Sequence, residues 1–222
     1  MSTYILMKIL ESAPDRYDWC IRILTVGRLD KAYDNLTAYI QKGQIVLDIG
    51  CGSGALTLKA AEKGAKVKGI DVNSQMLDIA QMRASKASLM QNIELFEMGV
   101  AELGSENAES YDAVMSGLCF SELTDDELFY TLKEVKRILK VGGLFLIADE
   151  VIPKNSFKRM LNWFIRFPFV IITYLIAQTS TNAIKNLPEK VKEAGLQVES
   201  IRYNKTGNFI ELVAKKPEEI MK

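Results

Sequence analysis

Leu29, Tyr33, Leu36 and Ile40 recur at spacings of four, three and four, which places them on one stripe of a helix that packs by a single face. Two shorter helical segments precede it, at 5–10 and 17–25, the second opened by the helix-starting residues Pro14 and Asp15. The pattern changes at Ile45. Ile45–Ile49 is a short apolar run interrupted only by Asp48 and bounded by Gly43 and Gly50, as a strand covered on both faces requires. Strands and helices then alternate. Strands are predicted at 67–70, 93–96, 113–116 and 144–148, with helices from about 74 to 87 and over 125–139, the latter opened by Thr124 as N-cap. Gly142 and Gly143 are expected to end that helix with a left-handed C-cap. This alternation predicts an α/β fold, doubly wound, with a mostly parallel sheet and helices on both faces. Farther along come an apolar helical insertion at about 156–178 and a helix near 187–194 ended by Gly195. Two last strands, 198–203 and 209–213, are joined by so short a turn that they form an antiparallel hairpin. Seven strands result, in one domain over 1–222: N-terminal helices (1–43), a core (44–150), a helical lid insertion (151–185) and a C-terminal helix and hairpin (186–222).

Composition narrows the function. The 222 residues are 48% apolar and 25% charged, enough for one substantial core. Lys and Arg number 28, as do Asp and Glu, so no basic stripe exists to neutralise nucleic-acid phosphates. Histidine is absent, which removes imidazole general bases, His-containing triads and His metal sites. Cys20, Cys51 and Cys119 are odd in number and widely spaced, which fits reduced thiols and a cytoplasmic location. The first eleven residues lack the extended apolar region of a signal peptide. The uncharged interval 167–184 has a strongly apolar part, 167–177, that is about half the ~20 residues needed to span a bilayer.

The strand Ile45–Ile49 runs into Gly50-Cys51-Gly52-Ser53-Gly54, a glycine-rich turn that lets a ligand approach the backbone. The spacing is Gly-x-Gly-x-Gly, unlike the Gly-x-Gly-x-x-Gly of dinucleotide-binding turns, and Asp48 stands two residues before the first glycine. A carboxylate there repels a pyrophosphate and attracts an ammonium group. Asp71 follows at the C-terminal end of the second strand, where it can accept both hydroxyls of a ribose or cap the following helix. Over about residues 40–150 the chain resembles the class I S-adenosylmethionine-dependent methyltransferases, whose fold is Rossmann-like. The resemblance implies that Gly50, Cys51, Gly52 and Gly54 pack against the methionine part of that cofactor, with Asp48 helping to hold its amino group. Asp71 then takes the ribose, and Val72 and Met76 lie against adenine. Where the family carries an Asp-Ala pair at the adenine edge, this sequence has Val100-Ala101-Glu102, so backbone at Ala101 or the Glu102 side chain replaces the missing Asp. The segment 111–118, including Ser116 and Leu118, resembles the family's fourth strand and following loop, which border cofactor and acceptor. A weaker resemblance links 11–18, 27–34 and the lid to methyltransferases associated with corrinoid proteins.

Methyl transfer suits a chain without histidine, since the protein mainly aligns donor and acceptor. A thiolate or reduced metal acceptor needs no general base; an oxygen or carbon acid does, and Asp149 and Glu150 are the carboxylates available at a strand end, with Glu122 on the preceding loop. No residue is assigned as catalytic. Adjacent strand residues such as Asp149 and Glu150 point to opposite faces, so no metal site is expected. Acceptor choice is expected from the N-terminal helices and the lid, whose large apolar residues suit a buried cover, a hydrophobic or protein-held acceptor, or peripheral membrane contact.

Overall fold

A computed structural model of the chain describes residues 28–153 and 183–218. The predicted helices at 5–10 and 17–25 and the insertion at 156–178 lie outside the described residues. Among the described residues the chain runs first through α1 (Arg28–Thr37), β1 (Ile45–Ile49), α2 (Ala55–Glu62), β2 (Lys66–Asp71) and α3 (Ser74–Lys86). Next come β3 (Ile93–Glu97), β4 (Tyr111–Gly117), α4 (Asp125–Ile138), β5 (Leu139–Glu150), α5 (Leu187–Glu193), β6 (Gln197–Tyr203) and β7 (Phe209–Lys215). Short 3-10 segments lie at Met90–Asn92, Val100–Ser105 and Phe120–Glu122.

The seven strands form one sheet in the order β3-β2-β1-β4-β5-β7-β6. Pairing is parallel from β3 across to β5, and β7 then runs antiparallel to both β5 and β6. Strand order reverses beside β1, which has β2 on one side and β4 on the other. Crossovers leave this point in opposite directions, which opens a crevice at the C-terminal ends of β1 and β4.

Alternation along the strands splits the core between two faces. Val46, Ala113 and Met115 pack with Leu29, Tyr33 and Leu36 of α1 and Leu56 and Ala60 of α2. Leu47, Val114 and Phe145 face the other way, onto Leu128, Leu132 and Val135 of α4 and Leu187 and Val191 of α5. The predicted stripe Leu29, Tyr33, Leu36 and Ile40 is buried throughout. Thr124 caps α4 as expected: its hydroxyl accepts from the Glu127 N–H, and the Glu127 carboxylate accepts from the Thr124 N–H.

The boundary between α4 and β5 differs most from the sequence reading. α4 stops at Ile138, and Leu139 is already extended, buried and paired with Tyr111 in the sheet. The chain therefore passes from helix to strand without a glycine cap. Gly142 does take a left-handed conformation, φ +79°, but within β5, where its N–H donates to the Lys216 carbonyl.

Candidate functional site

The floor of the crevice is the turn between β1 and α2. The N–H groups of Gly50 and Cys51 both donate to the Ile70 carbonyl, at 2.9 and 3.0 Å, which folds the turn back over β2. Gly50 has φ +67°, and a Cβ added to it would overlap the Cβ and Sγ of Cys119. Glycine is required there for conformation and for space. Above Gly52 an added Cβ would meet nothing within 4 Å, so the turn presents bare backbone to an open volume. Arg83 of α3 donates to the Ser53 carbonyl and hydroxyl, at 3.0 and 2.9 Å, and steadies the turn from the side. Cys51 is buried, with its sulfur toward Gly69 of β2; its side chain supports the turn and does not line the opening.

Asp48 is the least satisfied group of the site. It is buried on the α1–α2 face, and the Thr57 hydroxyl donates to its Oδ2 at 2.6 Å. Its Oδ1 is buried with no hydrogen-bond partner among the described residues. Burial pushes the carboxyl up to about 7, the Thr57 hydrogen bond pulling the other way and the Asp71 charge adding to the rise. A buried carboxylate oxygen without a donor is costly, and a cationic group is the partner that relieves it.

Asp71 ends β2 and braces two segments. Its Oδ2 accepts from the Gly52 N–H at 2.8 Å and its Oδ1 from the Asn73 N–H at 2.9 Å. Each oxygen keeps a second lone pair for a ligand hydroxyl. The cap of α3 is Asn73, which accepts from the N–H groups of Gln75 and Met76; Asp71 is thereby left at the mouth of the crevice. Val72 is 72% exposed, an unusual position for an apolar residue at a strand end, while Met76 is buried behind it. Beyond β3, the Glu102 carboxylate accepts from the Gly99 N–H at 3.0 Å, and the Ala101 carbonyl accepts from the Tyr130 hydroxyl at 3.3 Å. The Glu102 side chain is thus engaged by its own turn, and Val100 packs partly on the core.

The opposite wall follows β4. Ser116 is buried and its hydroxyl donates to the Ile49 carbonyl at 3.0 Å, so it ties β4 to β1 and does not line the crevice. Leu118 has φ +60°, a strained conformation for a non-glycine residue, and its N–H donates to the Ala148 carbonyl. Burial, reinforced by the Asp149 and Glu122 charges, pushes the Cys119 thiol far up, so it stays neutral and serves as packing against Gly50. Asp149 is buried, its Oδ2 accepting from the N–H groups of Phe120 and Ser121 and its Oδ1 from that of Glu150. These bonds commit it to the backbone of the 119–122 turn and of its own strand end. Glu122 sits exposed at the end of the turn, its carboxyl raised by partial desolvation and the nearby Asp71 charge.

Sequence reasoning missed the roles of Thr57, Arg83 and Asn73. Only Asn73 had a local signal, an Asn immediately before a helix. The crevice suits the cofactor that the resemblance implies: an orphaned buried carboxylate oxygen for an ammonium, open backbone at Gly52, a strand-end carboxylate for hydroxyls and exposed Val72 for an aromatic ring. A separate groove of about 270 Å³ lies between α1 and the β6–β7 hairpin, where Asn35 and Arg202 both donate to Oε2 of Glu211 and, among the described residues, no buried side-chain acceptor is left unpartnered.

Residues 46–143 match the family model described as a methyltransferase domain. The uncharacterized methyltransferase sll0829 of Synechocystis sp. is 33% identical over 116 residues, 52% of this chain and 51% of that protein. The demethylmenaquinone methyltransferase of Symbiobacterium thermophilum is 28% identical over 157 residues, 68% of this chain and 61% of that protein. The chain therefore spans about half to three-fifths of the length of these relatives. A solved S-adenosylmethionine-dependent methyltransferase from Aquifex aeolicus superposes with a TM-score of 0.61 at 18% identity, covering 84% of this chain and 88% of that one, a likeness of fold.

Proposed function

We propose that this chain, which belongs to the class I methyltransferase family through residues 46–143, transfers a methyl group from S-adenosylmethionine to a small-molecule or partner-held acceptor. The observation that carries the reading is the buried Oδ1 of Asp48, unpartnered among the described residues, beneath a three-glycine turn that is itself tied to Asp71. Asp48 would hold the amino group, Asp71 the ribose hydroxyls, the Gly50–Gly54 backbone the methionine part and Val72 the adenine. Bound there, the cofactor supplies an electrophilic methyl group on a sulfonium whose displacement releases a neutral thioether. The chain's own contribution is alignment: the turn fixes the donor, and the 117–122 loop closes the opposite side. No described residue is needed as a base if the acceptor is a soft nucleophile. Calorimetry with S-adenosylmethionine and S-adenosylhomocysteine tests the reading. Binding that weakens at least about tenfold in Asp71→Ala supports it; absence of binding to the unaltered chain refutes it.

The relatives named for demethylmenaquinone favour a second reading, methylation of a quinone at the membrane surface. No helix among the described residues is long and apolar enough to cross a membrane. Transfer of labelled methyl to a demethylated quinone in liposomes, and not to small thiols, would select it. The corrinoid association has no support in these relatives.

A further inference from the structure

We infer that Asp149 is a positioning residue for cofactor binding, acting through the loop after β4 and touching no ligand itself. It lies at the end of β5 on the face of Phe145 and Ile147, fully buried. Its carboxylate collects three backbone N–H groups: Phe120 at 2.8 Å and Ser121 at 3.3 Å on Oδ2, and its neighbour Glu150 at 2.7 Å on Oδ1. A buried carboxylate is a costly way to tie down a surface loop, and it is sustained here because every oxygen has donors.

What it ties down reaches the cofactor turn directly. The Phe120 ring is buried against Phe145, centroids 5.8 Å apart, which anchors the turn on its apolar side while Asp149 anchors its backbone. The preceding residue, Cys119, fills the space beside Gly50 that a Cβ would occupy. Leu118 before it is held at φ +60° by the hydrogen bond from its N–H to Ala148. A left-handed leucine persists only where its surroundings over-determine it. Without Asp149, residues 118–120 lose the fastening next to this strained position. Leu118 then relaxes, Cys119 withdraws from Gly50, and the floor of the crevice loses its side support. Asp149, 29 positions beyond Phe120 in the chain, therefore couples the last parallel strand to the geometry of the Gly50–Gly54 turn.

The inference rests on the reading of that turn as the cofactor site, and the experiment separates the two. S-Adenosylhomocysteine affinity is measured by calorimetry on the full chain, unaltered and as Asp149→Ala and Asp149→Asn, at a temperature below the onset of each variant's melting. The expected order of affinity is unaltered, then Asn, then Ala, with Ala weaker by about tenfold or more. Asn recovers part of the loss because its amide oxygen still accepts from Phe120 and Ser121. Should the alanine variant fail to fold, an asparagine variant that melts cooperatively and binds several-fold more weakly supports the inference. Folded variants that melt lower yet bind like the unaltered chain make Asp149 a stability residue only and overturn it. An unaltered chain that binds no S-adenosylhomocysteine refutes the cofactor reading itself.

Discussion

Replacing Asp48 by Asn is expected to make the protein more stable at alkaline pH while costing it its ligand. The carboxyl is pushed from its ordinary 3.8 to about 7, chiefly by burial. Between about pH 4 and pH 7 the folded chain therefore keeps a proton that the unfolded chain has released. Stability falls with rising pH across that window, by up to about 1.4 kcal/mol per pH unit and roughly 4 kcal/mol in all. Asn carries no such penalty. Its amide oxygen still accepts from Thr57, but its NH2 group takes the Oδ1 position, where no acceptor is described, and returns about 1–3 kcal/mol of the gain. The two proteins are then about equally stable near pH 5, and the variant is ahead by about 1–3 kcal/mol at pH 8. Urea unfolding at both pH values measures this difference, in which the titrations common to both proteins cancel. Affinity for S-adenosylhomocysteine should fall by about tenfold or more, the worth of one charge-assisted hydrogen bond. A variant that is less stable at pH 8, or whose difference from the unaltered chain is flat with pH, refutes the argument that Asp48 is buried at a cost. Unchanged affinity refutes its pairing with the ligand.

Gly50→Ala is expected to destabilise the fold by about 2–4 kcal/mol, because φ +67° and the overlap with Cys119 act together, and to abolish S-adenosylhomocysteine binding; urea unfolding and calorimetry read the two effects. Thr57→Val removes the hydrogen bond that lowers the Asp48 carboxyl, so the pH at which S-adenosylhomocysteine binding is half-lost should move upward by about one unit or more, seen by titrating affinity against pH.

The parts of the site that are contiguous in sequence could be read from it. Asp48, the glycine spacing and Asp71 lie close along the chain, and the need for positive φ and for strand-end carboxylates selects their residue types. The limits of β1 are legible because glycines flank it on both sides. The beginning of β5 is not, because nothing local distinguishes Leu139 as the last residue of a helix from the first of a strand; its pairing with Tyr111 decides, and that contact belongs to the sheet. The same holds for the second wall. Ser116 carries a hydroxyl that reads as a ligand contact, yet it is spent on Ile49, 67 residues away. Asp149 reads as a carboxylate available either as a base or as a cap, and the fold has it accept from the Phe120 backbone, beside the packing of Phe120 on Phe145. Residue type shows what a side chain can do, and long-range packing decides which of those possibilities it keeps.

Strand order has a consequence for when the site comes into being. Asp48, the glycine turn and Asp71 are carried by β1, α2 and β2, neighbours in the chain that are synthesised before the rest of the sheet. The facing wall waits for β4 to dock beside β1, for β5 to deliver Asp149, and for β7 to cover the far side of β5. No partial product has both walls. A ligand held between them therefore recognises only the completed domain, and its binding energy is added to the cooperative unfolding of the whole sheet and not to any piece of it.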